Sequence, residues 1–187
     1  MSAPKVVVTT PRLILRRWQP SDREPFAAIN ADPRVMEFFP NPLTGEQSAK
    51  GIERIEAGFE QNGFGLCAVE RKSDGAFLGF IGLSVPNFQA HFTPCVEIGW
   101  RLAAHAWGQG FATEGAQAIV AHAFHTLHLE QIVSFTSVQN LRSRRVMEKL
   151  GMTRDPADDF DHPNLPDGHL LRRHVLYRLH ALEFANP

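Results

Sequence analysis

Residues 12–18, RLILRRW, alternate apolar with charged side chains, as a strand with one buried face does. Ser21-Asp22 then offers a helix N-cap, and Phe26, Ala27, Ile29 and Asn30 follow at helical spacing until Asp32-Pro33 ends the run. Thr44-Gly45-Glu46-Gln47 has the form of a capping box, and Ile52, Ile55, Ala57 and Phe59 carry a second helix as far as Asn62-Gly63. Residues 65–71 and 77–84 read as strands joined by the polar turn Lys72-Ser73-Asp74-Gly75, which predicts an antiparallel hairpin. Residues 85–93, with Pro86, Asn87 and His91, read as a loop, and residues 95–102 as a fourth strand. Ala112, Ala116, Ile119, Val120, Ala123, Phe124 and Leu127 form an apolar stripe at helical spacing, so a long amphipathic helix follows directly on the stretch AWGQGFATEG. Residues 132–138 predict a fifth strand, 141–150 a helix with Gly151 as C-cap, and 173–179 a last strand, with a long irregular Asp- and Pro-rich loop over 155–168. The order of strand, two helices, three strands, helix, strand, helix and strand predicts an α/β (or α+β) domain around a central mixed sheet.

Length and charge narrow the picture. A chain of 187 residues is long enough for one good core and short for two, so a single domain spanning 1–187 is expected, with its core over about residues 10–182. Nineteen Lys and Arg against twenty Asp and Glu leave no basic footprint for nucleic acid or an anionic membrane surface, so any anion site must be local. No apolar run has the length of a membrane span, and the opening MSAPKVVVTT lacks a charged region followed by a long apolar one, which makes a cytoplasmic location the expectation. Cys67 and Cys95 lie in apolar strand-like contexts without a partner motif and read as small buried hydrophobes. Exposed edge strands in such a sheet suggest a homodimer.

Within AWGQGFATEG, Gly108 and Gly110 stand one residue apart at a predicted helix start. Glycines there allow a phosphate to lie against the unpaired amides and the positive dipole end of the helix, or they simply satisfy the backbone geometry of a strand-to-helix turn. No Lys-Ser/Thr follows, so this is not a Walker A loop, and Gly115 comes too late for a dinucleotide fingerprint. Three segments in order, EIGWRL (97–102), WGQGFATE (107–114) and NLRSRRVMEKLGM (140–152), resemble the acyl-CoA-binding core of the GNAT acetyltransferase superfamily. TPRLILR (10–16) and RHVLY (173–177) extend the resemblance to the RimJ/RimL-like group, whose named members acetylate N-termini of ribosomal proteins.

The resemblance implies a GNAT-like fold with a mostly antiparallel sheet flanked by helices, in which the fourth and fifth strands splay to admit acetyl-CoA. The pantetheine arm would pair with the strand edge at Trp100, Arg101 and Leu102. The pyrophosphate would meet the backbone amides of Gly108, Gln109, Gly110, Phe111, Ala112 and Thr113. Relatives often carry Arg or Gln where this chain has Trp107, so backbone donors must dominate, with Gln109 as a helper. Acetyl transfer requires a neutral amine, a donor on the thioester oxygen and a proton for the departing thiolate. Glu97, at the start of the fourth strand, resembles the acidic base of some relatives; a glutamate there also suits a solvated or structural role. The tyrosine that many relatives use as acid falls here on Met147, and the only tyrosine is Tyr177. Ser143 resembles a serine of the RimJ/RimL-like group that could serve the sulfur, or it stabilises the first helical turn. Asn140 holds the pantetheine amide, caps the helix, or both.

Arg142, Arg144 and Arg145 crowd one helical turn and either meet the adenosine phosphate of the cofactor or form a solvated face; they read as the latter, outside the site. His122, His125 and His128 step by three and drift around their helix, and the Pro-containing 161–169 segment reads as a rigid loop, so no metal is expected. Phe38 and Phe39 either border the acceptor channel or belong to the core. The expectation is an acetyl-CoA-dependent N-acetyltransferase acting in a ternary complex on a primary amine, such as a protein N-terminal α-amine. A small-molecule amine acetyltransferase and a non-catalytic acyl-CoA-binding sensor are the alternatives, and an unrelated nucleotide-binding domain with a chance Gly-x-Gly is a third.

Overall fold

The computed structural model describes residues 5–184. The alternating segment becomes β2 (Leu13–Arg16), with Leu13 and Leu15 fully buried. A strand absent from the sequence reading, β1 (Val6–Thr9), pairs with it antiparallel; three consecutive valines offer no alternation that would announce a face. A short 3-10 turn over Pro20–Asp22 leads into α1 (Arg23–Ala31). Asp22 does not cap α1 with its side chain. Its carboxylate instead receives Arg16 Nη1 at 2.7 Å and Nη2 at 2.9 Å, while Arg16 Nε reaches Glu70 at 2.8 Å. The buried charge of Arg16 took Asp22 away from the cap, because an unpaired guanidinium in that core would cost more than an open cap.

Thr44 caps α2 (Gly45–Asn62) as its sequence predicts: its hydroxyl accepts from the Gln47 amide at 3.2 Å, and Gln47 Oε1 accepts from the Thr44 amide at 2.8 Å. The hairpin is β3 (Leu66–Arg71) and β4 (Phe77–Ser84), and the strand expected fourth is β5 (Glu97–Leu102). Then come α3 (Phe111–His125), β6 (Gln131–Ser137), α4 (Leu141–Lys149), β7 (Thr153–Arg154), β8 (Phe160–Asp161), β9 (Arg173–His180) and a single turn, α5 (Ala181–Phe184). The expected 155–168 loop thus holds a 3-10 turn at Pro156–Asp158 and the two-residue β8, with β7 just before it; both short strands pair with β9 and are too short for a hydrophobic period to reveal.

All strands join one sheet in the order β1-β2-β3-β4-β5-β6-β9-β7, with β8 also on β9. Every pairing is antiparallel except β5 with β6, so the sheet is mixed and mostly antiparallel as expected. Successive side chains on β4 show how the helices divide between its faces. Phe80 packs with Phe26 of α1 and Ile52 of α2, whereas Ile81 points at α3, where a Cβ on Gly115 would come within 2.5 Å of its Cδ1. On the α3 side Ile98, Leu102, Ile119, Val120, Ala123 and Met147 share the main core with β2 and β4.

The parallel contact is where the sheet opens. Glu97 opposite Val133 is the single bridge between β5 and β6, with the Val133 amide donating to the Val96 carbonyl at 2.9 Å. One step on, the Ile98 carbonyl is met by the Ser134 hydroxyl at 2.9 Å instead of by backbone. Beyond that point the strands diverge and leave a cleft.

Candidate active site

Backbone alternation decides which groups of β5 line the cleft. Val96 and Ile98 turn their carbonyls toward β6, so Trp100 and Leu102 do likewise, while Glu97, Gly99 and Arg101 face their partners Ser84, Gly82 and Phe80 on β4. The Leu102 carbonyl is engaged by Trp107 Nε1 at 2.9 Å. The open edge therefore consists of Trp100 and the Leu102 amide. Arg101, expected to join them through its backbone, spends its amide and carbonyl on β4 and reaches the cleft only by its side chain.

The glycine turn follows. Gly108 and Gly110 both hold positive φ, 72° and 82°, a region that other residues enter only under strain. A Cβ on Gly108 would meet nothing within 4 Å, so its absence leaves open space above the turn. The Glu114 amide makes the first bond of α3, to the Gly110 carbonyl at 3.0 Å, and the amides of residues 111–113 therefore have no acceptor within the helix. The Glu114 carboxylate in that first turn is occupied by the Thr10 hydroxyl at 2.6 Å and by Arg12 Nε at 2.5 Å. Arg12 Nη1 also binds the Gln109 carbonyl at 2.9 Å, which ties the glycine turn to the start of β2. Gln109 Nε2 donates back to the His105 carbonyl at 2.8 Å, and this side chain faces a separate small cavity beside Arg12 and Lys72. The expected help from Gln109 is thus not offered at the main cleft.

Trp107 carries the Arg142 guanidinium 4.5 Å above its ring. Arg142 also pairs with Glu37 at 2.5 Å, so a cation from α4 stands over the position where the sequence lacks one. Arg142, Arg145 and Lys149 all border the cleft, and among the described residues Arg145 and Lys149 form no ion pair. Positions 142, 145 and 149 are solvent-exposed, as a charged turn predicts, and also fall on one helical face that overlooks the cleft. The i, i+3, i+7 spacing was the signal. Arg144 alone turns away, to the Val138 carbonyl at 3.1 Å.

Asn140 caps α4 with both ends of its amide occupied: Oδ1 accepts from the Ser143 amide at 3.2 Å and Nδ2 donates to Thr136 Oγ1 at 3.0 Å. Its capping role is therefore realised. The Ser143 side chain borders the cleft, and its hydroxyl has no hydrogen-bond partner among the described residues. Met147 is buried in the core, and Tyr177 lies outside the cleft with its hydroxyl donating to Glu148 at 3.1 Å.

Glu97 sits at the vertex of the splay on the α1–α2 face. Removal from water raises its carboxyl to about 7, only partly offset by the Ser84 hydroxyl, which donates to Oε2 at 3.3 Å. Across the cleft, burial pushes His174 down to about 4 and lowers His162 as well, and the two imidazoles lie 5.0 Å apart beside Phe88, Phe135 and Phe160. The His174 ring therefore stays neutral where Glu97 titrates. The connection between α1 and α2 forms the opposite wall with Val35, Phe38, Phe39 and Pro40, so both phenylalanines border the cavity. The whole cavity measures about 740 Å³, and Glu97 is its one lining carboxylate among the described residues. Burial pushes the Cys67 thiol to about 12 and that of Cys95 to about 11, which suits neither for nucleophilic attack. Among the described residues no cluster of His, Cys, Asp or Glu is placed to hold a metal ion, and no helix is long and apolar enough to cross a membrane.

The chain is similar to known acetyltransferases along most of its length. It is 29% identical over 148 residues to the uncharacterized N-acetyltransferase YnaD of Bacillus subtilis, covering 79% of this chain and 83% of that one. It is 32% identical over 151 residues to the FsC-acetyl coenzyme A-N(2)-transacetylase of Aspergillus fumigatus, covering 77% and 63%. An acetyltransferase (GNAT family) from Bacillus anthracis shares the fold with a TM-score of 0.77 at 24% identity, over 94% of this chain and 98% of that one. The spermidine N-acetyltransferase of Vibrio cholerae, solved with CoA and spermine, does so at 0.72 and 17% identity, over 93% and 98%. A family model described as an Acetyltransferase (GNAT) domain matches residues 12–153, which span β2, the splayed strands, the glycine turn and α4, and the chain belongs to this acetyltransferase family.

Proposed function

We propose that this chain transfers the acetyl group of acetyl-CoA to an α-amine, with Glu97 as the base. The observation that carries the reading is a lone carboxylate held at about 7 at the vertex of the β5–β6 splay, between an open strand edge and an aromatic cavity. The α-ammonium of a peptide N-terminus titrates near 7.7–8.0, so proton transfer to Glu97 costs about one pH unit of driving force; a lysine-like amine near 10.4 costs about three. Among the described lining residues there is no second carboxylate to hold a polyamine. A protein N-terminus presents such an amine, in keeping with the RimJ/RimL-like resemblance.

Acetyl-CoA would lie with its pantetheine along Trp100 and Leu102 and its pyrophosphate at residues 108–113. The open space over Gly108 and the unpaired amides of 111–113 fit that group. Trp107, through the Arg142 guanidinium stacked on it, together with Arg145 and Lys149, brings cations to the same end of the cleft. Once bound, acetyl-CoA supplies the activated acyl group. Glu97 takes the ammonium proton, which frees the nitrogen lone pair to form the new C–N bond as the C–S bond breaks. The Ser143 hydroxyl donates to the departing sulfur, and the second proton, which the nitrogen sheds as it becomes an amide, ends on that sulfur to give the free thiol. A thiol of ordinary acidity leaves readily as thiolate, so a buried Met147 in place of an acid is tolerable.

Mass spectrometry after incubation with acetyl-CoA and a panel of N-terminal peptides, amino acids, polyamines and aminoglycosides tests the reading. Acetyl gain on α-amines is the expected result. Gain confined to polyamines or aminoglycosides overturns the acceptor, and acetyl-CoA binding with no acetylated amine points to an acyl-CoA sensor.

A further inference from the structure

Arg101 is an enclosed cation with no counter-ion among the described residues. It stands four residues after Glu97 on β5, so both side chains fall on the α1–α2 face, on either side of Gly99. Its Nη1 donates to Asn30 Oδ1 at 2.7 Å. Asn30 is fully buried, and its Nδ2 donates to Ser48 Oγ at 3.0 Å, whose hydroxyl donates in turn to the Thr44 carbonyl at 2.9 Å. Each acceptor in this relay is neutral. It therefore fixes the direction of the guanidinium from α1 and α2 without offsetting its charge.

Among the described residues no carboxylate neutralises it. Arg101 Nε is buried and has no hydrogen-bond partner among the described residues. The guanidinium carbon lies 4.1 Å from the Phe39 ring centroid and 5.4 Å from that of Phe80, and Phe39 is itself exposed. Burial pulls Arg101 below the ordinary arginine range, to about 10, with no carboxylate acting against it. Arg16, the other strongly enclosed arginine, is met by both Asp22 and Glu70. The contrast matters because an unpaired buried guanidinium is costly, and such a group persists where a ligand completes it. Arg101 borders the cavity together with Phe38, Phe39 and Phe80, across from the cationic face of α4.

We propose that Arg101 sets acceptor specificity: its guanidinium receives a carboxylate carried by the same molecule whose amine lies toward Glu97. The proposal rests on the acetyl-transfer reading for the position of the amine. A charge-assisted hydrogen bond is what a guanidinium offers a carboxylate, and with Nη1 held by the Asn30 relay and Nε enclosed, Nη2 is left to make it. Two sources present that chemistry: the α-carboxylate of a free amino acid, and an acidic side chain near the N-terminus of a peptide.

The test uses binding, so that it does not depend on turnover. The full chain saturated with CoA is titrated with matched product pairs: N-acetylglycine against N-acetylglycinamide, and N-acetyl-Ser-Glu-amide against N-acetyl-Ser-Gln-amide. The expected result is that the carboxylate member of one pair binds on the order of thirtyfold more tightly than its amide, the responding pair naming the source. Arg101→Gln should erase that preference and leave acetyl-CoA affinity unchanged, and Arg101→Lys should restore part of it. Equal binding within both pairs, or no binding by either carboxylate, overturns the proposal without reference to any variant. A preference retained in Arg101→Gln overturns it too, as does a loss confined to acetyl-CoA affinity, which would place Arg101 with the cofactor phosphates. If no amine is acetylated in the activity panel yet the carboxylate preference holds, the transfer reading fails and the anion site stands.

Discussion

Replacing Glu97 by Gln should have two effects of opposite sign, and both follow from one cause. The carboxyl ionises near 4.5 in an unfolded chain and at about 7 in the fold, because the splay withholds water from the charged form. Between those values the folded state binds more protons than the unfolded state, so stability falls as pH rises through the window and levels off above about 7. From 4.5 to about 7, at about 1.4 kcal/mol for each pH unit, the cost approaches about 3 kcal/mol. Glutamine preserves the shape and removes the ionisation. Urea unfolding at pH 4.5 and pH 8 should show the wild type losing up to about 3 kcal/mol relative to Glu97→Gln, which thus becomes the more stable protein at pH 8. The same substitution should lower kcat by about 10²–10⁴-fold, the usual contribution of a positioned base, and abolish the rise in rate with an apparent pKa near 7. Acetyl-CoA affinity should be preserved. Equal pH dependence of stability in the two proteins would refute the account of Glu97 as a desolvated carboxylate, and undiminished turnover would refute its role as base.

Other consequences follow from the geometry. Gly110→Ala forces a Cβ onto a residue at φ 82° and toward Arg12 Nη2, so it should cost about 1–2 kcal/mol of stability and raise the KM for acetyl-CoA, with kcat at saturation much less affected. The pair Arg145→Ala with Lys149→Ala should raise the KM for acetyl-CoA several-fold at low salt and little at high salt; a salt-independent effect would mean the side chains act by packing. Asp22→Asn leaves Arg16 with one carboxylate in place of two, and chemical denaturation should record a loss toward the lower end of about 3–5 kcal/mol; a loss no larger than an exposed ion pair gives would show that Glu70 suffices. Asn140→Ala should cost about 1 kcal/mol through the lost cap and disturb Ser143 along with it.

Much of the fold was legible because local physics dictates it. The Thr44–Gln47 capping box, the alternation of Leu13 and Leu15, and the apolar stripe of α3 are short-range patterns that the fold only has to obey. The short strands β7 and β8 were not legible, since two residues carry no period and their pairing with β9 is a matter of distant chain. Likewise the fate of Asp22 turned on Arg16, a neighbour that no capping rule consults.

The candidate site divides in the same way. Gly108 and Gly110 by residue type, and Glu97, Asn140 and Ser143 by motif, could be named from the chain alone, because a backbone needing positive φ and a helix needing a cap restrict the residue directly. What the chain alone could not decide was environment. Whether Glu97 ionises depends on water excluded where β5 and β6 part, and whether Arg101 is paired depends on which residues α1, α2 and β4 bring around it. Sequence determined the order of elements and the chemistry available. Tertiary packing decided which charges keep water, which find partners and which are left facing the cleft, because desolvation and pairing arise between segments far apart along the chain.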